Sequence, residues 1–100
     1  MNETEHLLAC LIEEAGEIVQ AGTKALRFGL DDGHPGTERT NAEDIVRECT
    51  DFIAVLEMLY ERGKVASLFD RDRADKKKRK IGKYMDYARN RGALQAHEGA

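Results

Sequence analysis

The chain predicts an all-α fold: an antiparallel helical hairpin followed by a third helix, forming a helical bundle that is completed by oligomerisation. Three observations predict it. Strong helix formers (Ala, Leu, Glu, Lys and Arg) are abundant, and runs of β-branched residues are few. Three stretches repeat their apolar residues at helical spacing, and none alternates as a strand would. At 100 residues the chain makes one domain with a modest core.

The first helix is expected from about Glu3 to Phe28. Leu7, Leu8, Leu11, Ile18, Val19, Ala25 and Leu26 give it its period, and Gly29 is its stop. The segment GLDDGHPGTERT, residues 29–40, holds three glycines and the only proline, and reads as a loop. Asp31 and Asp32 serve turn chemistry there with Gly33. A second helix should begin near Asn41 as N-cap, with Glu43 and Asp44 in its first turn to suit the dipole. Ile45, Cys49, Phe52, Leu56 and Leu59 form its apolar stripe, and it ends near Gly63. After a short link, KVASLF, a third helix is expected over about residues 70–91. It is charged at its start, edged later by Ile81, Tyr84, Met85 and Ala88, and closed by Gly92. Residues 1–92 thus form the domain. The tail ALQAHEGA, 93–100, has little to pack and is expected to be mobile.

A fully helical first stretch would be about 39 Å long. A lone hairpin cannot cover both sides of it. Ala15, Gly16 and Gly22 permit close approach of another helix, so a homodimer or homotetramer is expected.

Net charge is −3, but it is unevenly placed. Residues 1–69 carry six Lys/Arg against fourteen Asp/Glu, and residues 70–91 carry ten against four. No apolar run approaches the roughly 20 residues that span a bilayer. The opening MNETEH lacks the basic start and apolar stretch of a signal peptide. A cytoplasmic protein with no membrane partner is therefore expected. Cys10 and Cys49 fall inside helical patterns without CxxC spacing, which favours buried reduced thiols over a zinc site. The run KKKRK, 76–80, reads as a solvated helix face or a phosphate contact. An acidic chain with no other basic surface argues against nucleic acid as partner. His6, His34 and His97 read as surface residues, because the ExxH spacing of His6 has no second copy to complete a di-iron site.

The stretch LIEEAGEIVQ, 11–20, carries the chemistry. Glu14 and Glu17, three apart, share a helix face at the margin of the apolar stripe, about 4.5 Å apart along the axis. Ala21, Lys24 and Phe28 continue that line. In RECTD, Glu48 and Asp51 repeat the spacing beside the Ile45/Cys49/Phe52 stripe. One such pair is common on a solvated face. Two pairs, each flanking an apolar stripe and joined by a compact loop, can face each other in an antiparallel hairpin. Facing carboxylates repel, and a divalent cation relieves this while keeping them ionised. All-oxygen ligation suits Mg²⁺ or Mn²⁺, and Mg²⁺ recruits substrate phosphates. A phosphate-bearing ligand is the natural partner. Glu13 points roughly 100° aside from Glu14 and is free for a second role.

EEAGE followed by ECTD resembles the EExxE…ExxD signature of the MazG-like, all-α nucleoside triphosphate pyrophosphohydrolases. EEAGEIVQAGTKALRFG, the Gly-rich loop ending in TN, FIAVLEML and KIGKYMDYAR also resemble short phage and bacterial members, so the similarity runs from about residue 5 to 92. The resemblance implies Mg²⁺-dependent hydrolysis of a nucleoside triphosphate between its α- and β-phosphates, giving the monophosphate and pyrophosphate. It also implies that Glu14, Glu17, Glu48 and Asp51 ligate magnesium, and that Glu13 orients or deprotonates the attacking water. The core is similar to that of dimeric dUTPases, which leaves the substrate class open. Cations should then stabilise the departing pyrophosphate. Lys24 lies on the acid stripe, and Lys77, Lys80 and Lys83 are further candidates. Phe28 could stack on a base or join the core, and Asn41 could touch substrate besides capping its helix. The competing readings are a non-catalytic helical module that senses nucleotide or metal, suggested by the separate charged third helix, and a nucleic-acid binder acting through residues 71–83.

Overall fold

The computed structural model describes residues 1–96 and holds three helices: α1 (Glu3–Phe28), α2 (Asn41–Glu61) and α3 (Arg71–Asn90). The described residues contain no strand, only an isolated antiparallel bridge between Gly33 and Thr40. None of the helices is long and apolar enough to cross a membrane. The chain separates into two compact units, Met1–Leu68 and the segment from Phe69 onward.

In the first unit α1 begins at a capping box. Asn2 Oδ1 accepts from the Glu5 amide, and Glu5 Oε1 accepts from the Asn2 amide. The helix stops at Gly29, whose φ of 98° suits a residue without Cβ. Its amide still donates to the Ala25 carbonyl, at 2.8 Å. The N-cap of α2 corrects the sequence expectation. Thr40, extended, takes that position, and its Oγ1 accepts from the Glu43 amide. Asn41 is the first helical residue instead. Its side chain is buried, and its Nδ2 donates to the Gly29 carbonyl at 2.9 Å.

That bond ties the end of α1 to the start of α2. At the other end Arg62 pairs with Glu3 at 3.2 Å. The two links establish an antiparallel hairpin. Its seam runs through Leu7, Leu11, Ile18 and Ala21 on α1, and Ile45, Phe52, Leu56 and Leu59 on α2. Leu59 is the most deeply buried, at 1% exposure. Cys10 and Cys49 are free and half-buried.

The single apolar stripe expected on α1 divides into two. Leu8, Val19 and Leu26 lie outward with Ile12, and Ile12 is 73% exposed. Leu8, Ile12, Ala15, Val19, Gly22 and Leu26 alternate spacings of four and three, the period of a coiled-coil seam. On α2, Val46, Ile53 and Tyr60 are exposed as well.

The second unit is built on α3. Asp70 caps it, its carboxylate accepting from the Arg73 amide at 3.0 Å. After Gly92 the amides of Ala93 and Leu94 return to the Ala88 carbonyl, and Leu94 is half-buried. The expectation of mobility concerns a tail of which residues 97–100, including His97, lie outside the described residues.

Candidate functional site

An antiparallel hairpin brings the first half of α1 against the middle of α2. Glu14 and Glu48 sit half-buried at the margin of the apolar seam, and Asp51 lies exposed one turn beyond Glu48. One carboxylate oxygen from each of these three residues lies within 4.8 Å of the others. Partial burial first, and then the charges of Asp51, Glu13, Glu48 and Glu17, hold the Glu14 carboxyl above its ordinary value. The donor set is oxygen only. Such a set could hold a hard cation such as Mg²⁺ or Mn²⁺.

Glu17, also named from the sequence as a ligand, stands outside that three-oxygen group. It is half-buried and lines, with Glu48, an open cleft of about 630 Å³. Glu48 therefore belongs to both the acid cluster and the cleft. The cleft runs toward the loop end of the hairpin, past Ala21 and Lys24 to Phe28 on α1 and past Asp44 to Asn41 on α2. Phe28 is 57% exposed there, at the cleft wall rather than in the core. The Arg27 guanidinium lies 4.9 Å from the Phe28 ring centroid. Glu13 is exposed one turn before Glu17, beyond the residues that line the cleft, and its charge reaches Glu14.

The loop supplies the rest of the wall through Asp32, Gly33, His34, Pro35 and Arg39. Its course is held by backbone bonds from Asn41 to the Asp32 carbonyl at 2.7 Å and from Ala42 to the Leu30 carbonyl at 2.9 Å. Gly33 is required at the crossing, because a Cβ there would collide with the Arg39 carbonyl oxygen. Arg39 Nε donates to Asp44 Oδ1 at 2.9 Å, so the loop hands a fixed guanidinium to the cleft.

Lys77, Lys80 and Lys83 belong to the second unit, where all three are exposed on α3. Lys80 and Lys83 border a shallow groove of about 330 Å³ with Tyr84 and Tyr87. Arg39 escaped the sequence reading, and His34 was read only as a surface residue, because a loop carries no periodicity to aim a side chain. The one available signal was position, since both stand between two acid-bearing helices.

No family model matches the chain, and no curated protein or solved structure matches it either.

Proposed function

We propose that the protein is a Mg²⁺-dependent nucleoside triphosphate pyrophosphohydrolase of the MazG-like kind, cleaving between the α- and β-phosphates. One observation carries the reading: a three-carboxylate cluster opens, through the shared Glu48, into a cleft large enough for a nucleoside. The motif resemblance supports it.

In this reading Glu14, Glu48 and Asp51 hold the cation, with Glu17 joining from the cleft side. When bound, the ion would screen the phosphate charge, polarise a phosphoryl oxygen and lower the pKa of a water. A water oxygen would bond to the α-phosphorus as the bond from this phosphorus to the α,β-bridging oxygen breaks. The electron pair leaves with pyrophosphate, and Glu13 takes the proton of the water. Lys24 leans toward the acids, since helical Cα–Cβ bonds tilt toward the N-terminus, and it meets the phosphate chain. The nucleoside fills the cleft beside Phe28 and Asn41.

The outward seam of α1 is proposed to take a second copy of the chain, as a dimer or as half of a tetramer. Its four exposed aliphatic residues form the sort of apolar strip that monomers rarely leave open. Val19→Glu should shift the mass found by light scattering to that of a single chain. A parent protein already of single-chain mass would remove this part of the proposal.

The catalytic test is a panel of NTPs and dNTPs incubated with Mg²⁺. Pyrophosphate and monophosphate should appear, and Glu48→Gln or Asp51→Asn should cut the rate by orders of magnitude with the helical content unchanged. A folded protein that releases no pyrophosphate from any of them refutes the reading. Nucleotide binding without turnover would select the non-catalytic module instead.

A further inference from the structure

We infer that the Arg39–Asp44 ion pair reads the base of the bound nucleotide and selects guanine. The inference rests on the hydrolase reading for the direction of the ligand: phosphates at the acid end, nucleoside in the cleft. The cleft is polarised in that sense. Glu17 and Glu48 line the end that adjoins Glu14 and Asp51, while Phe28, His34 and Pro35 line the loop end. Its 630 Å³ falls within the range of small-molecule pockets.

Both members of the pair line this cleft, with side chains 45% and 24% exposed. The bond at 2.9 Å uses only Nε of Arg39 and Oδ1 of Asp44. Among the described residues no protein group bonds to the terminal nitrogens of Arg39 or to Asp44 Oδ2. A guanidinium has five N–H donors in a fixed fork, and a carboxylate has about four acceptor positions. The pair therefore presents donors beside acceptors, with each partner fixing the orientation of the other.

Guanine matches that array most fully. Its O6 accepts from the arginine fork, and its N1–H and 2-amino group donate together to the carboxylate. Adenine has no carbonyl and offers one amino donor. Cytosine has no ring N–H at its pairing edge, and uracil or thymine has a single N–H. Each of these leaves a half-desolvated charged atom short of a partner, and such unmatched groups are what let a polar site reject an analogue. Stacking on Phe28 is tolerant of base identity, so discrimination falls to the ion pair.

The test measures kcat/KM for dGTP, dITP, dATP, dCTP and dTTP with Mg²⁺. We expect dGTP to exceed dATP by roughly 10- to 100-fold, the scale of one good bidentate base contact. dITP, which lacks the 2-amino group, should fall between them. Asp44→Asn, which turns one acceptor into a donor, should bring the dGTP/dATP ratio to within about threefold of unity on that same scale. Arg39→Lys, which keeps the charge and loses the fork, should lower the ratio in the same direction. A parent ratio near one, or a ratio unchanged in both variants, overturns the inference and leaves the hydrolase reading standing. If no triphosphate is cleaved, the hydrolase reading fails by itself, and calorimetric binding of GMP against AMP becomes the readout. Tighter GMP binding that is lost in Asp44→Asn sustains the inference. Equal or absent binding overturns it.

Discussion

Asn41 is the residue on which loop and hairpin both depend, and its replacement by alanine tests that. The side chain is 6% exposed and spends its Nδ2 on the Gly29 carbonyl at 2.9 Å. Truncation leaves that carbonyl without a donor in a partly buried place, at a cost of about 1–3 kcal/mol. Thr40 keeps the N-cap, so no capping energy is lost with it. Taking about 2 kcal/mol, and about 4–8 °C per kcal/mol for a domain of this size, Asn41→Ala should melt roughly 8–16 °C below the parent. Asn41→Asp should fare worse at neutral pH, since it sets a carboxylate against the carbonyl and cannot donate. Placing an acid in the first turn returns only about 0.3–1 kcal/mol through the helix dipole. The assay is a thermal melt followed by circular dichroism at one protein concentration, because an associating protein melts higher when concentrated. An Asn41→Ala variant that melts within about 2 °C of the parent, on the same scale, would refute the idea that this bond holds the two helix ends together.

Other expectations follow from the same geometry. Leu59→Ala, at the most buried position of the seam, should cost about 2–5 kcal/mol, read as a lowered urea midpoint with an unchanged slope. Glu14 binds its proton more tightly in the folded chain than in the unfolded one, because partial burial and then Asp51, Glu13, Glu48 and Glu17 raise its pKa. Metal-free stability should therefore fall as pH rises from the ordinary glutamate value of about 4.3 through the raised one, and level off above it. Urea titrations across that window decide the matter, and a curve rising with pH contradicts the sign. Excess Mg²⁺ should raise the midpoint most at the high end of the window, where the three acids are ionised. Glu48→Gln removes one charge from the cluster, so the metal-free variant should unfold at higher urea than the parent while gaining less from Mg²⁺.

Helix identity was legible because periodicity is a local property. The bounds of α1 and α2 match those expected from Leu7, Leu11, Leu59 and their neighbours, with Gly29 as the stop. Errors arose where two local rules compete. Thr40 and Asn41 are both good caps, and side-chain type alone does not say which one turns extended. Leu8, Val19 and Leu26 read as part of one stripe with Leu7 and Ile18, because a helix with two apolar faces has the same period as a helix with one broad face. Only the placement of α2 separates them. Within the site, helical spacing led to Glu14, Glu48 and Asp51, and the hairpin brings these together. The three-residue spacing did not separate Glu17, which stands one turn nearer the cleft. Arg39 depends on the loop crossing at Gly33 and on a partner five residues away, and neither has a spacing to read.

The two faces of α1 also explain why a chain sets carboxylates beside its core. With one apolar face against α2 and a second facing outward, the strips between them are narrow. Side chains there are half-buried whatever their chemistry, as Glu14 and Glu17 are. A strip that only had to join two apolar faces would be best filled by long side chains with neutral or opposite charges, which snorkel without mutual repulsion. Here it is filled with like charges, and the same arrangement recurs in the facing margin of α2 at Glu48 and Asp51. Among the described residues none of Glu14, Glu17, Glu48 and Asp51 makes a salt bridge, and Arg39 is committed to Asp44. Packing thus accounts for where these acids are but not for their charge. A cationic ligand in the cluster would offset that repulsion, which is why the urea titrations with and without Mg²⁺ bear on function as directly as any turnover assay.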